Sequence, residues 1–287
     1  MKHLLIGTSI AAIFLAACHT ARTQGEPTVV VVPPDEMSRD PAAAAPTAKV
    51  VPAAPSPTTA ASPAGSPVKH SYNSCNVDGP YIAMTFDDGP HETNTPRLLD
   101  MLKQRGLKAT FYVVGQCVVE YPDIMKRIAA EGHEIGNHSW SHPALNSVGA
   151  ESLRKQMDST TAAIVKSTGI RPATMRPPYG ATSARLNKLF DEQYGMKVIL
   201  WSVDPLDWKN RNSATVASRI IQGAHPGAII LAHDIHATTV AAMPEVFDTL
   251  LAKGYKFVTV SELLAMDRPP QLVKKETPPA KPAPAAQ

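Results

Sequence analysis

Short apolar runs alternate with segments of helical periodicity between Tyr81 and about Met266. The runs have the length of strands, and the segments between them repeat apolar residues every three or four positions, as amphipathic helices do. This alternation predicts β/α units and a parallel sheet. The predicted strands are YIAMTFD, ATFYVVG, HEIGNH, PATMR, KVILWS, AIILAH and KFVTV. The predicted helices are NTPRLLDMLKQRG, YPDIMKRIAAEG, ESLRKQMDSTTAAIVKSTG, SARLNKLFDEQYG, ATVASRIIQG and VAAMPEVFDTLLAKG.

The predicted fold class is α/β. Seven strands with their helices in roughly 190 residues fit a single distorted (β/α) barrel of about seven parallel strands, closed or nearly closed. An open doubly wound sheet is the alternative. The first helix is expected to be capped by Asn94 or Thr95.

The segments outside this region are poor in large apolar residues. The whole chain contains 27 prolines among its 287 residues. Such segments cannot bury enough apolar surface to offset the entropy cost of ordering. The predicted organisation is a signal peptide of the lipoprotein type at 1–17, a disordered Pro/Ala/Thr-rich tether at 18–72, a folded domain at 73–267 that would carry the function, and a disordered Pro/Ala-rich tail at 268–287.

The N-terminal segment has the features of an export signal. Lys2 is followed by an apolar stretch, Leu4–Leu15, that is too short to remain as a membrane span. The sequence LAAC, ending at Cys18, resembles the bacterial lipoprotein cleavage box and implies that Cys18 carries the lipid. We expect an exported protein, lipid-anchored to a bacterial membrane facing the periplasm or at the cell surface. The residue that follows Cys18 is His19 and not an aspartate, and this favours the outer membrane over the inner one. An ordinary signal peptide is the alternative.

Charge argues against a nucleic-acid partner. Lys and Arg number 28 and Asp and Glu 25, which gives a net charge of +3. No basic stripe interleaved with aromatic residues is present, and that pattern is the usual mark of a nucleic-acid surface.

Two cysteines remain besides Cys18. In an oxidising compartment Cys75 and Cys117 could form a disulfide. The alternative is two buried thiols that pack as small apolar side chains.

Unusual polar residues follow five of the predicted strands, and all lie at carboxyl ends. In a β/α barrel these ends converge on one rim, where the loops form the active site. Each residue alone is more commonly a turn or cap residue, but the coincidence of five strands indicates a shared site. The residues are Asp87 and Asp88, His138 and His142, Arg176, Asp204 and Asp207, and His233 and Asp234.

The segment HSWSH is the candidate for metal binding. It spaces His138 and His142 by four residues, and Pro143 favours a turn over a long helix. Two imidazoles and one carboxylate form a zinc shell that leaves a position for water. A dication would also balance the adjacent charges of Asp87 and Asp88. A polar loop without a metal is the alternative for this segment taken alone.

With these residues assembled, the segment from Tyr81 to Met266 resembles the polysaccharide deacetylases of the NodB-homology type, carbohydrate esterase family 4. TFDDGP resembles the first family motif, which implies that Asp87 is the catalytic base and Asp88 a metal ligand. HSWSH resembles the second motif and implies that His138 and His142 are the other ligands.

Three further motifs follow in order. RPPY resembles the third, in which Arg176 fixes the base, and Pro178 and the Tyr179 backbone N–H lie at the substrate and oxyanion side. DPLDW and ILAHD resemble the fourth and fifth. They imply that His233 is the catalytic acid and that Asp207 tunes its pKa. They also imply that Trp208 forms a wall of the sugar site and that Leu231 lines the acetyl pocket.

The resemblance implies a metal-dependent hydrolase that removes N-acetyl groups from N-acetylglucosamine units of a cell-envelope polysaccharide and releases acetate. Peptidoglycan is the expected substrate, with a chitin-type oligosaccharide as competitor. The expected cofactor is one divalent ion, Zn²⁺ before Co²⁺ or Ni²⁺, and the expected state is a monomer. The alternatives are a non-catalytic wall-binding lipoprotein on the same barrel, an O-acetyl esterase of the xylan type and a phosphoesterase.

Overall fold

The central strand, β2 (Tyr81–Asp87), shows why the chain folds as it does. In the computed structural model, which describes residues 68–268, all of its residues except the first are buried. A nearly continuous apolar run is typical of a parallel strand that is covered on both faces. Ile82, Met84 and Phe86 belong to the main apolar core. Because side chains alternate along a strand, Asp87 is directed away from that core.

Eight strands and eight α-helices are present in this part of the chain. The strands are β1 (Ser71–Tyr72), β2, β3 (Thr110–Val113), β4 (Glu134–Asn137), β5 (Thr174–Met175), β6 (Lys197–Ile199), β7 (Ile229–Ile230) and β8 (Lys256–Phe257). The helices are α1 (Asn94–Gln104), α2 (Gly115–Glu120), α3 (Pro122–Ala130), α4 (Ala150–Thr168), α5 (Ala184–Tyr194), α6 (Ser213–Gly223), α7 (Ala237–Ala252) and α8 (Val260–Ala265), with a 3-10 turn at Pro178–Gly180.

All strand pairs are parallel. The order is β1-β6-β5-β4-β3-β2-β7, and β8 pairs with the start of β2. Beyond β6, Val203 forms a parallel bridge to Ile230 of β7, so the sheet closes on itself. This arrangement confirms the predicted α/β barrel and excludes the open doubly wound sheet. No helix within residues 68–268 is long and apolar enough to cross a bilayer.

The predicted boundaries need several corrections. The sheet begins within the predicted tether, since β1 pairs with β6 and the Val198 N–H donates to the His70 carbonyl. The strand count is therefore eight, because Ser71 and Tyr72 stand in a polar segment with no apolar run to indicate a strand. The cap of α1 is Thr93, and Asn94 is already helical. The remaining predicted segments, 1–17 with Cys18, the tether up to residue 67 and the tail from residue 269, lie outside the described residues.

Two short helices were not predicted. Helix α2 follows β3 directly and overlaps the predicted strand ATFYVVG at Gly115. Helix α8 begins at Val260, within the predicted strand KFVTV, because Thr259 and Glu262 form a capping box that stops the strand. Val260 and Leu263 of α8 pack with Ala83 of β2 in a second apolar cluster.

The structure has no bridge between Cys75 and Cys117, and both side chains are buried, in line with the alternative of two buried thiols. The Cys75 N–H donates to the Gly227 carbonyl, just before β7 begins, whereas Cys117 lies on α2, just after β3 ends. Because the strands are parallel, these positions lie at opposite ends of the barrel. Burial raises the pKa of Cys75 to about 12.

Candidate metal and catalytic site

The site begins where β2 ends. Strand alternation would send the side chains of Asp87 and Asp88 to opposite faces. Asp88 instead has φ of 75°, a left-handed conformation that aspartate tolerates better than most residues. The chain therefore turns at Asp88, and Asp88 Oδ1 lies 3.3 Å from His138 Nε2 and 3.2 Å from His142 Nε2.

Asp88, His138 and His142 form a candidate metal site. Their three donor atoms all lie within 4.8 Å of one another. Asp88 Oδ1 is buried without a hydrogen-bond partner, which is costly for a carboxylate unless a cation satisfies it. One carboxylate and two imidazoles are a donor set that suits a catalytic divalent ion with open positions. The residues present therefore fit the predicted metal.

The orientation of His138 supports this assignment. Its Nδ1 lies 2.6 Å from the Arg176 carbonyl oxygen, which can only accept a hydrogen bond. Nδ1 therefore carries the proton, and the lone pair of Nε2 faces Asp88. Such a backbone contact is the usual way in which the tautomer and ring of a metal-binding histidine are fixed.

His142 reaches the same point through a turn rather than a helix. Ser139 and His142 have φ of 67° and 60°, and the His142 N–H donates to Ser139 Oγ. Burial and the neighbouring His138 lower the pKa of His142 to about 4, although Asp88 opposes the shift. The neutral ring that results is the form that binds metal.

Asp87 is held by Arg176. Arg176 Nη1 donates to Asp87 Oδ1 at 2.7 Å, and Asp87 Oδ2 lies 3.7 Å from His138 Nε2. The guanidinium is fully buried and lies over the Tyr112 ring at 4.3 Å. Its other acceptors are Thr85 Oγ1 and the carbonyls of Ile199 and Leu200. One carboxylate oxygen is thus anchored, and the other lies beside the candidate metal donors.

Asp207 and His233 form a second pair. His233 donates from Nδ1 to Asp207 Oδ1 at 2.8 Å and from its backbone N–H to Asp207 Oδ2 at 2.9 Å. Thr239 and Trp208 also donate to the Asp207 carboxylate. Burial alone would lower the pKa of His233, but the hydrogen bond and charge of Asp207 outweigh burial and raise it to about 9. His233 is therefore cationic at neutral pH.

The residues predicted to contact substrate differ in exposure. Tyr179 is 68% exposed, has φ of 61°, and its ring lies 4.6 Å from that of His142. Trp208 is 45% exposed, whereas Pro178 and Leu231 are buried. Aromatic surface next to buried polar groups is suited to contacting a sugar ring.

Backbone strain is concentrated in the same loops. Within residues 68–268, five residues other than glycine have a positive φ, and they are Asp88, Ser139, His142, Tyr179 and Leu206. Each such conformation costs free energy and persists only when surrounding contacts impose it, as happens at functional sites.

Sequence reasoning gave some residues the wrong weight. Asp204 accepts a hydrogen bond from the Leu206 N–H, so it is a turn residue. Asp234 is one of the predicted rim residues but has no role in the family motifs, yet it is fully buried and accepts a hydrogen bond from Thr95 Oγ1. Burial raises the pKa of Asp234 to about 7. Thr239 had no signal in the sequence, because a threonine within a helix is ordinary.

Comparisons with known proteins identify the family. Residues 75–199 match the family model for polysaccharide deacetylases. The chain is 46% identical over 182 residues to the peptidoglycan-N-acetylglucosamine deacetylase PgdA of Listeria monocytogenes, and 44% identical over 182 residues to the peptidoglycan-N-acetylmuramic acid deacetylase PdaC of Bacillus subtilis. Each match covers 63% of this chain and 38% of the relative, so the chain spans well under half the length of either.

A solved structure matches over nearly its whole length. The Bc1960 peptidoglycan N-acetylglucosamine deacetylase is 35% identical, with a TM-score of 0.66, and the match covers 70% of this chain and 96% of that one. Identity at this level over almost the whole of that chain establishes common membership. The chain belongs to the polysaccharide deacetylase family.

Proposed function

We propose that this protein is a metal-dependent hydrolase that removes the N-acetyl group from N-acetylglucosamine units of peptidoglycan and releases acetate. One observation carries the proposal. Asp87 Oδ2 lies 3.7 Å from His138 Nε2, beside three donor atoms that could hold a divalent ion. A base next to a metal site is what hydrolysis of an amide by water requires.

Asp88, His138 and His142 would hold the ion, and Zn²⁺ suits their donor atoms, with Co²⁺ and Ni²⁺ as alternatives. When bound, such an ion supplies Lewis acidity, which polarises a carbonyl and lowers the pKa of a coordinated water.

Asp87 is the proposed base. Arg176 engages Oδ1, so Oδ2 is the oxygen that would accept the proton of the attacking water. The anchor fixes the carboxylate in one orientation, and this lowers the entropy cost of the reactive geometry.

His233 is the proposed acid. As water oxygen bonds to the acetyl carbon and the C–N bond breaks, the leaving amine nitrogen needs a proton. A pKa of about 9 keeps that proton on His233 at neutral pH. Asp207 holds the ring through Nδ1, so Nε2 is the atom from which the proton would leave.

The remaining motif residues would bind and orient the substrate. We assign the Tyr179 N–H to the oxygen that becomes negative in the transition state, where such a donor can contribute about 3–4 kcal/mol. Trp208 would stack on a sugar ring, Leu231 would line the acetyl pocket, and Pro178 would support the wall next to Tyr179. The substrate class is supported by the similar proteins, which are named for N-acetylglucosamine or N-acetylmuramic acid in peptidoglycan.

The test is acetate release by the full chain from peptidoglycan, chitin pentamer and acetylxylan, before chelation, after chelation and after Zn²⁺ is added back. We expect release from peptidoglycan that chelation abolishes and Zn²⁺ restores. Amino-sugar analysis of the product should show free glucosamine rather than free muramic acid units. Activity that survives complete removal of metal would contradict the scheme. Zn²⁺ binding without acetate release from any of the three would favour the non-catalytic alternative.

We also propose that the protein is exported and anchored through a lipid on Cys18, in the outer membrane as His19 favours, and acts as a monomer. The support is the sequence LAAC after an apolar segment. Labelled palmitate should enter the wild-type protein but not the Cys18→Ser variant, and fractionation should release only the variant from membranes. Equal labelling of both would contradict the anchor, and sedimentation of the released protein tests the monomer.

A further inference from the structure

We propose that Asp234 is a positioning residue: by packing against Gly89, it fixes the position of the loop that carries Asp87 and Asp88. For its effect on metal and catalysis, this inference rests on the proposed function. Asp234 follows His233 after β7, on a different loop from the acids that it would position.

The Asp234 carboxylate fills the space that a side chain at position 89 would need. A Cβ atom added to Gly89 would lie 2.5 Å from both Asp234 Oδ1 and Asp234 Oδ2, closer than any such atom can approach. Gly89 is not one of the glycines with a positive φ. The need for glycine at this position therefore comes from the carboxylate and not from the backbone conformation.

The carboxylate is fixed from the other side by Thr95 on α1. Thr95 Oγ1 donates to Asp234 Oδ2 and accepts from the His91 N–H at 2.7 Å. The Gly89 carbonyl in turn accepts from the Val114 N–H at 3.0 Å. Gly89 is thus held between the end of β3 and Asp234, one residue after the candidate ligand Asp88.

A purely structural role does not explain the choice of aspartate. Asp234 is fully buried, yet Oδ1 has no hydrogen-bond partner. An unpaired buried polar atom costs stability, so an apolar side chain of similar size would serve the fold better. The loss of stability is explained if the planar Asp234 carboxylate, held by Thr95, is needed to fix the position of Gly89.

The experiment is a double-mutant cycle with Gly89→Ala, Asp234→Ala and the variant that combines them, with Asp234→Asn as the conservative control. The first readout is the dissociation constant for Zn²⁺, measured by competition with a chelating dye. The second is urea unfolding of the metal-free protein, which reports any general loss of stability. The third is kcat and KM for acetate release.

We expect Gly89→Ala to weaken Zn²⁺ binding by about tenfold or more, as for other residues that orient metal ligands. Asp234→Ala should weaken binding less, and the double variant should bind no worse than Asp234→Ala because the methyl group then occupies the vacated space. Asp234→Asn keeps the shape and should stay within about threefold of wild type. Loss of kcat should exceed any rise in KM.

Wild-type affinity in Gly89→Ala, or additive losses in the double variant, would overturn the inference. If Gly89→Ala does not fold but the double variant does, the inference is supported. If neither variant folds, the inference is contradicted. A wild-type protein that binds no Zn²⁺ defeats the proposed function itself. If the wild-type protein binds Zn²⁺ but the losses of affinity in the two single variants add up in the double variant, only the role of Asp234 is contradicted.

Discussion

Arg176 and Asp87 form a buried ion pair in which Nη1 donates to Oδ1 at 2.7 Å. The guanidinium also donates to two main-chain carbonyls of the β6 region, so its position is fixed by the sheet rather than by Asp87. The planar fork of arginine makes these contacts together, which the ammonium group of lysine cannot do. The fold thus prepares a rigid partner for one carboxylate oxygen and leaves the other beside His138.

Asp87→Asn tests whether that second oxygen is the base. Loss of a general base typically lowers the rate by about 10²- to 10⁴-fold, whereas Asp88, His138 and His142 should still hold Zn²⁺. Acetate release and Zn²⁺ content, measured on the same preparation, separate the two effects. Full acetate release with metal bound would contradict the assignment.

Stability needs its own control here, because Asn at position 87 leaves the Arg176 charge without a carboxylate. Thr85→Val removes another acceptor of Arg176 Nη1 while keeping Asp87. Each variant should lose about 1–3 kcal/mol of unfolding free energy. Only Asp87→Asn should lose turnover.

Asp207→Asn should change the pH profile of kcat/KM. His233 must be protonated to act as an acid, and its pKa of about 9 in the folded protein places the basic limb of the profile near that pH. Without the carboxylate charge, burial and weaker hydrogen bonding should move the pKa of His233 down, so activity is lost at lower pH. The expected shift of the basic limb is about 1–3 pH units.

Thr239→Val is the matched control for this variant. It removes one hydrogen bond to Asp207 and leaves the charge in place. The basic limb should then move by less than in Asp207→Asn. An unchanged limb in Asp207→Asn would show that the acid is not His233.

Trp208→Ala should raise KM more than it lowers kcat. The indole is 45% exposed and would contribute stacking to a sugar ring rather than a proton or a metal ligand. Loss of one such aromatic contact is worth about tenfold in KM. Leu251→Ala is the control, since Leu251 is 38% exposed but lies near the end of α7, before β8 and away from the rim. Equal changes in both variants would argue against a sugar contact at Trp208.

The sequence predicted the elements in which a local pattern is long. YIAMTFD corresponds residue for residue to β2, because a buried strand of that length is one apolar run. Strand β1 was not predicted because its two residues, Ser71 and Tyr72, form no apolar run. Helix α2 was not predicted because its six residues are too few to show a helical repeat of apolar positions. Their structure comes from pairing with β6 and from packing on α4.

The rim was predictable from the sequence because parallel strands bring their carboxyl ends together. The family resemblance then supplied roles that spacing alone could not. Contacts between distant segments were not predictable. Thr95 and Asp234 are 139 positions apart, and nothing in the sequence around Thr95 distinguishes it from a helix-cap residue. The same holds for Thr239 and Asp207, which are 32 positions apart.

Gly227→Ala should be far more destabilising than Gly106→Ala, although both glycines have a left-handed conformation, with φ of 79° and 64°. An alanine in that conformation costs about 1–2 kcal/mol, and at Gly106 nothing lies within 4 Å of the added Cβ. At Gly227 the Cβ would lie 1.8 Å from the Cys75 carbonyl oxygen, a main-chain atom that cannot rotate away. The Cys75 N–H also bonds to the Gly227 carbonyl, so relief of the clash breaks that contact. Urea unfolding should show at least about 2 kcal/mol more loss for Gly227→Ala. Equal losses would mean that the segment at Cys75 is not seated against β7 as the structure has it.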